Sequence, residues 1–425
     1  MNKMKLRHNL KDQLVCLARE AKEASRVLAA VSSEKKNTVL KYMAESIMAG
    51  KEKILAANAK DLKNAALKRL GKAFVERLAL DERRLMEMAE SLREIARLED
   101  PVDKNIRSWV RPNGLAISKV SVPIGVILII YESRPNVTSD CVGLCFKSGN
   151  AVILRGGSDA INSNLAIYEV IAGVLDRYGL PRSIVSFIDS TDRKAVDVLL
   201  TLDEYINLVM PRGGESLIRQ VRDRSKIPVI KHYKGVCHVF VDDGADFIMA
   251  QRIILNAKVQ RPGVCNAVET LLVHQNLAED FLPTMIESLQ DAGVQVRGDL
   301  LTRKIVKGLK VATEKDWSTE YLDLILSVKV VKDIDEAVRH INNYGSSHSD
   351  TIVTQNEANA QKFLKEVDSA CVYVNASTRF TDGYQFGFGA EIGISTDKLH
   401  ARGPMGLEEL TTYKYVIRGN GQIRE

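Results

Sequence analysis

The chain has no long apolar run. Its longest, Val126 to Tyr131, is six residues, far short of the roughly 20 that a membrane-spanning helix needs, so no span is expected. The basic start Met1-Asn2-Lys3-Met4-Lys5 has no apolar segment behind it, which excludes a secretory signal. Cysteine is sparse: six residues, at 16, 141, 145, 237, 265 and 371, with no Cys-x-x-Cys pair. This is no disulfide framework, and reduced thiols in a cytoplasm fit best. Aromatics reach only 6% and no basic face is interleaved with them, which argues against nucleic-acid binding. Charge of one sign is also scarce. A net +6 over 425 residues favours anionic ligands only weakly. The phosphate fingerprints are missing too. There is no Gly-x-x-x-x-Gly-Lys-Ser/Thr loop, and no Gly-x-Gly-x-x-Gly after a strand; Gly387-Phe388-Gly389 with Gly393 has the wrong spacing.

What is present is an ordinary globular composition, 45% apolar and 27% charged, long enough for two or three domains. Residues 1 to about 100 read as helices. Leu14, Leu17, Ala18, Ala21, Ala24, Ser25 and Leu28 recur at helical spacing, Val39 to Leu55 extends the pattern, and Asp81 is the expected N-cap of a third helix. After Pro101 the character changes. Arg107 to Val122 alternates around Pro112-Asn113-Gly114, a hairpin with a turn at its tip. Strands are expected at Gly125–Tyr131, Ala151–Leu154, Ile184–Ile188 and Ile206–Met210, with helices near 137–147, 159–178 and 191–200 between them. A second alternating set has strands at Cys237–Val241, Thr270–Val273, Thr351–Thr354 and Ala370–Asn375. Its helices are expected at Asp246–Val259, Asp280–Asp291, Asp333–Asn343 and Asn356–Val367, and a last strand at Leu410–Arg418. Strands alternating with helices predict crossover units and mostly parallel sheets.

Arg155-Gly156-Gly157-Ser158 and Arg212-Gly213-Gly214 each place an arginine and two glycines at the carboxyl end of a strand. Backbone amides there can cradle a phosphate, and open α/β sheets bind ligands at such ends. In Gln260-Arg261-Pro262-Gly263-Val264-Cys265-Asn266 a helix ends, Pro and Gly break the chain, and a cysteine precedes a buried strand. Loops on rigid elements collect catalytic groups, yet a thiol cysteine is most often a small buried apolar residue; both readings stay open. A thiolate needs positive surroundings, and a helix C-terminus has the wrong sign. Lys258 and Arg261 are the cations at hand. His232, Cys237 and His238 lie close together, but neighbouring strand residues face opposite ways and zinc wants paired ligands at fixed spacings, so no metal is expected.

Taken together, Val122-Pro123-Ile124-Gly125-Val126, Tyr131-Glu132-Ser133-Arg134-Pro135-Asn136-Val137, Lys147-Ser148-Gly149-Asn150, the two arginine-glycine turns, Gln260 to Ala267, and Gly389 to Leu407 carry a resemblance. The chain resembles, over nearly its whole length, the aldehyde dehydrogenase superfamily, in its acyl-phosphate-reducing branch of proline biosynthesis. The resemblance implies an α/β fold, aldehyde dehydrogenase-like, with two doubly wound α/β domains and a β-hairpin oligomerisation element. It places an NADP(H)-binding domain at 1–103 and 123–228, a catalytic domain at 229–375, the oligomerisation hairpin and strand at 104–122 and 405–425, and a return to the cofactor side of the cleft at 376–404.

It further implies that Cys265 attacks L-glutamyl 5-phosphate, expels phosphate and forms a thioester, which NADPH reduces to L-glutamate 5-semialdehyde. Where oxidising relatives carry a water-activating glutamate, this chain has His232, which suits a reductase that must protect its thioester. Their oxyanion-binding asparagine falls at Arg134, with Asn136 two residues on; either is implied to serve the developing charge. Arg155 and Ser158 stand where NAD-preferring relatives have lysine and glutamate, which favours NADPH. Gly156, Gly157, Arg212, Gly213 and Gly214 are implied cofactor contacts. Arg261, Arg379, Lys398 and Arg402, with Asn375 and His400, are the candidate ligands of an anionic substrate. A homo-oligomer, dimer or larger, is expected, as is a stand-alone reductase without a fused kinase, with a transient complex with glutamate 5-kinase left open. The rival is a coenzyme A-acylating aldehyde dehydrogenase.

Overall fold

In a computed structural model the chain is described over residues 10–132 and 134–424. It opens with helices α1 (Leu10–Ala29), α2 (Ser33–Ala49), α3 (Lys51–Leu67), α4 (Lys72–Leu78) and α5 (Glu82–Arg97). The continuous pattern expected from Val39 to Leu55 is broken at Gly50. The backbone leaves helical geometry there at φ −89°, ψ 9°, and a side chain would press on Val170 and the Ser46 carbonyl. Asp81 does cap α5, accepting the Arg84 N–H at 2.7 Å, the usual way a helix start satisfies an orphan donor.

Strands β1 (Asn105–Val110) and β2 (Ala116–Pro123) form the hairpin. There follow β3 (Val126–Tyr131), α6 (Asn136–Lys147), β4 (Ala151–Gly156), α7 (Ile161–Arg177), β5 (Val185–Phe187), α8 (Arg193–Leu199), β6 (Leu208–Arg212) and α9 (Glu215–Arg224). Next come β7 (Cys237–Val241), α10 (Phe247–Val259), β8 (Val268–His274), α11 (Gln275–Asp291), β9 (Gln295–Gly298), α12 (Leu300–Ile305), β10 (Lys310–Val311) and β11 (Ile325–Val331). The chain ends with α13 (Ile334–Tyr344), β12 (Ser349–Val353), α14 (Glu357–Glu366), β13 (Cys371–Val374), β14 (Gly393–Ser395), β15 (Gly403–Met405) and β16 (Thr411–Arg418).

Two compact units result. One comprises Met1–Lys231, Gly387–Gly393 and Met405–Glu425; the other comprises His232–Phe386 and Ile394–Pro404. In the first, strands run in the order β5-β4-β3-β6, all parallel. β3 is buried along its whole length, as expected of a parallel strand covered on both faces. Leu14, Ala18 and Ala21 of α1 pack on Val126, Leu128 and Ile130, each large aliphatic contributing about 1.5–3 kcal/mol by leaving water. The buried Asp61 carboxylate takes the Ser163 N–H at 2.8 Å and the Ser163 hydroxyl at 2.6 Å, tying α3 to α7. A separate antiparallel sheet, β1-β2-β16, joins the hairpin to the last strand.

The second unit is built on a parallel sheet in the order β10-β9-β11-β8-β7-β12-β13. Apolar side chains of α10 and α11 cover one face, and those of α13 and α14 the other. β11 lies inside this sheet and has no counterpart in the expected strands, nor do β9, β10, α9 and α12. In the first unit, β6 sits two residues later than expected, so Arg212 closes the strand and Gly213 opens the turn.

Candidate active site

Cys265 lies on the turn between α10 and β8, at the amino end of a fully buried strand. It is half-buried, unlike Cys141, Cys145, Cys237 and Cys371, which are buried. The backbone around it is tightly held. Gly235 packs directly on the Cys265 main chain, where any Cβ would overlap its carbonyl group. Only glycine leaves that space. The Cys237 thiol donates to the Cys265 carbonyl at 3.2 Å. Asn266 then knits the turn to the segment after β13. Its amide donates to the Thr381 carbonyl at 2.7 Å, its own carbonyl accepts the Thr378 hydroxyl at 2.7 Å, and its side-chain oxygen accepts Nη1 of Arg379.

Arg379 spans the turn, since its Nε also donates to Gln260 Oε1 at 3.0 Å. Its guanidinium is held below the ordinary arginine range by burial first and by neighbouring Arg261 second, while Asp382 and the Cys265 sulfur pull the other way. Arg379 thus has the Cys265 sulfur within charge reach and Arg261 close by, surroundings that favour a thiolate. Lys258, expected to help, does not. It is fully buried and ion-paired to Glu269 at 2.6 Å. Burial lowers its pKa and raises that of Glu269 to about 7, against the pull of the pair itself. This pair links the last turn of α10 to the start of β8 and so closes the base of the cysteine turn.

The other expected substrate ligands are placed differently. Both ends of the Asn375 amide are taken by the Thr354 main chain, at 2.9 Å each. It is a backbone clamp, in left-handed conformation with φ 57°. Lys398 and Arg402 both pair with Asp368, at 2.5 and 3.0 Å, and their charge, Lys398 foremost, holds that carboxyl below its usual range. They neutralise a carboxylate of their own chain. His400 is exposed with φ 65°. Of the six, Arg261 and Arg379 are the two seated at the cysteine turn.

In the first unit the expected cofactor residues gather at the carboxyl ends of β3, β4 and β6. The chain runs outward from β3 through β4 to β5 and then crosses back to β6 on the other side of β3, so the end of β3 is a switch point of the kind that binds ligands. Arg155 is the penultimate residue of β4, donating from Nη1 to the Gly156 carbonyl at 3.1 Å and from Nη2 to the Thr191 carbonyl at 3.4 Å, while its buried Nε has no partner. Burial, and then the like charge of Arg193, lower its pKa. Gly156 has no room for a side chain beside Asn164 and Tyr131. Gly157 leads into a 3-10 turn at Ser158–Ala160. Gly214 is the N-cap of α9, and its N–H donates to the Glu132 carboxylate at 3.2 Å, with Gly213 packed on the same side chain. Asn136 opens α6 and donates to Asp140 at 3.4 Å; burial pushes the Asp140 carboxyl up to about 6. Arg134 is exposed.

The sequence profile of the aldehyde dehydrogenase family matches residues 5–302 and 313–416. The chain belongs to this family. A gamma-glutamyl phosphate reductase from Caldanaerobacter subterraneus subsp. tengcongensis is 59% identical over 408 residues, covering 96% of this chain and 99% of the relative. The crystal structure of gamma-glutamyl phosphate reductase from Thermotoga maritima superposes with a TM-score of 0.96 at 51% identity, over 97% of this chain and 100% of that one. An acetylating aldehyde dehydrogenase from Geobacillus thermoglucosidasius, at 15% identity with a TM-score of 0.67 over 98% and 100% of the two chains, shares the fold.

Several contacts of this candidate site escape a reading of the sequence. Gly235 and Asn266 show their importance only through what they touch. The signals were there in outline: a glycine after Lys234 and an asparagine after Cys265. Glu132 was visible only as the residue after a strong apolar run. His232 has its Nδ1 2.8 Å from the Ile394 carbonyl and its ring edge-on to His348 at 5.7 Å, a contact that no spacing reveals.

Proposed function

We propose that this chain takes L-glutamyl 5-phosphate and NADPH to L-glutamate 5-semialdehyde and phosphate through an acyl-Cys265 intermediate. The acyl-phosphate reduction, a step of proline biosynthesis, is carried by one observation: near-full-length identity of 59% and 51% to gamma-glutamyl phosphate reductases. The half-buried Cys265, on a glycine-backed turn beside Arg261 and Arg379, supports its assignment as nucleophile.

The sulfur attacks the acyl carbon, the C–O bond to phosphate breaks with its electron pair leaving on phosphate, and the acyl group remains as a thioester. Arg261, on the turn itself, is assigned to the departing phosphate or the substrate carboxylate. The nicotinamide cofactor, when bound, supplies the hydride that reduces the thioester. Where oxidising relatives have a glutamate to activate water, His232 has Nδ1 at a backbone carbonyl, which favours survival of the thioester until reduction. Arg134 and Asn136 are the two assigned to the developing oxyanion, and separate alanine variants decide between them.

The first unit is assigned to the cofactor. Arg155 lies within range of the like charge of Arg193, neither has an acidic partner among the described residues, and Arg155 Nε is buried without a hydrogen bond. Two adjacent guanidiniums of this kind suit a dianionic phosphate, which supports NADPH over NADH. The short life of an acyl phosphate in water makes a transient complex with glutamate 5-kinase part of the same proposal.

The test is the reverse reaction, with semialdehyde and NADP+, comparing inorganic phosphate with coenzyme A as acyl acceptor. NADPH should appear with phosphate. Appearance only with coenzyme A would assign the chain to the acylating aldehyde dehydrogenases instead.

A further inference from the structure

Arg379 belongs, by chemistry alone, among the cations that bind an anionic substrate. Its contacts say otherwise. Nε holds Gln260 at one end of the cysteine turn and Nη1 holds Asn266 at the other. Asn266 in turn donates to the Arg379 and Thr381 carbonyls, at 3.4 and 2.7 Å, and takes the Thr378 hydroxyl on its own carbonyl. The segment 378–381 and the turn 260–266 are thus laced together, with one guanidinium as the cross-piece.

We propose that Arg379 is the positioning residue of the nucleophile: it braces both ends of the turn that carries Cys265 and keeps a positive charge beside the sulfur, instead of serving as a substrate ligand. This rests on the reading of Cys265 as nucleophile. A planar guanidinium suits the task, because its rigid fork can satisfy two acceptors at once while its charge cannot be lost at any working pH. Other charges bear on the same sulfur or its turn. Arg261 adds a second cation and Asp382 opposes Arg379. Glu320 accepts the Gly235 N–H at 2.9 Å. Behind the turn lie the neutral thiol of Cys237 beside His348, at 3.8 Å, and the internally compensated Lys258–Glu269 pair. Arg379 is a cation bonded to residues on both sides of Cys265.

The experiment follows the alkylation rate of Cys265 by iodoacetamide against pH, read by mass on the peptide carrying residue 265, in the full-length protein. Kinetic constants for the semialdehyde come from the reverse reaction. In the unaltered protein the rate should reach half its maximum below the ordinary cysteine value of about 8.5. Arg379→Gln should move that midpoint up by about one pH unit, the scale of losing one close opposite charge. It should also lower kcat about tenfold near pH 7, with KM within about twofold. Arg379→Lys keeps the charge without the fork, so its midpoint should move less than half as far. Should Arg379→Gln fail to fold by circular dichroism, the exposed Gln260→Ala should shift the midpoint in the same direction by a smaller step. A midpoint that stays in place while KM for the semialdehyde rises would overturn the proposal and return Arg379 to the substrate. Full turnover in Cys265→Ser would instead remove the underlying reading of the nucleophile.

Discussion

Gly235 and Cys265 are thirty positions apart, yet the first exists to make room for the main chain of the second. Neighbouring backbone cannot swing aside as a flexible side chain would. Gly235→Ala should therefore displace the cysteine turn, and a shift of about 1 Å at a reacting atom costs on the order of a hundredfold in rate. The expected result is a kcat about a hundredfold lower together with a lowered melting temperature; normal kcat would show that the turn is not fixed from this side. Arg155 makes a second prediction. Arg155→Glu should weaken NADPH binding at least about tenfold more than NADH binding, measured by nucleotide fluorescence titration, because a carboxylate repels a 2′-phosphate and tolerates a ribose hydroxyl. Equal losses would contradict the proposed phosphate role. At this scale the sequence was partly legible. Cys265 could be found because Pro262 and Gly263 break a helix just ahead of it. Lys398 and Arg402 read as substrate cations because nothing local shows that Asp368, some thirty residues earlier, already pairs with both.

Among elements, those with a clear period or cap were legible, and those defined by their neighbours were not. The Asp81 cap and the helix Phe247–Val259 follow from local pattern. β11 did not, because Ile325-Leu326-Ser327-Val328-Lys329-Val330-Val331 is broken by a serine and a lysine and becomes a strand by pairing with β8 and β9. The helix α13 beside it brings a buried histidine whose cost can be measured. His340 packs against His238, Trp317 and Tyr344, and neither ring nitrogen has a partner. Burial, then the like charges of His238 and Lys329, lower its pKa to about 2. Unfolded, the same imidazole takes a proton near pH 6.5. Below that pH the unfolded state binds more protons than the folded one, so the group's contribution is intact above about 6.5 and is lost as pH falls toward 2. At pH 5 the loss amounts to about 2 kcal/mol. His340→Phe, which keeps the ring stack, should shrink the drop in urea-derived stability between pH 7 and pH 5 by about that amount. An unchanged pH slope would mean that His340 is not held neutral in the folded protein.

At the scale of the molecule, both parallel sheets were foreseen from alternating strands and helices, whereas the strand order needed long-range pairing that composition does not carry. The third sheet, β1-β2-β16, stands apart because large apolar side chains on it remain about half exposed. Tyr413, Tyr415 and Ile417 are 48%, 54% and 60% exposed and, two residues apart along β16, point the same way. The Trp109 ring meets Tyr415 edge-on at 6.2 Å, and Lys119 Nζ lies 3.6 Å from the centre of the Tyr413 ring, so this face is arranged rather than frayed. An ordered apolar face on a two-edged sheet is a liability in a monomer, which supports the proposal that β1, β2 and β16 form the contact between copies of the chain. Placing acids there would bury charge in that contact, so Tyr415→Asp with Ile417→Asp should lower the sedimenting mass toward that of one chain. Because the sheet's own backbone pairing does not depend on those side chains, circular dichroism should be unchanged. A mass that stays at the multiple seen for the unaltered protein would place the contact elsewhere on the surface.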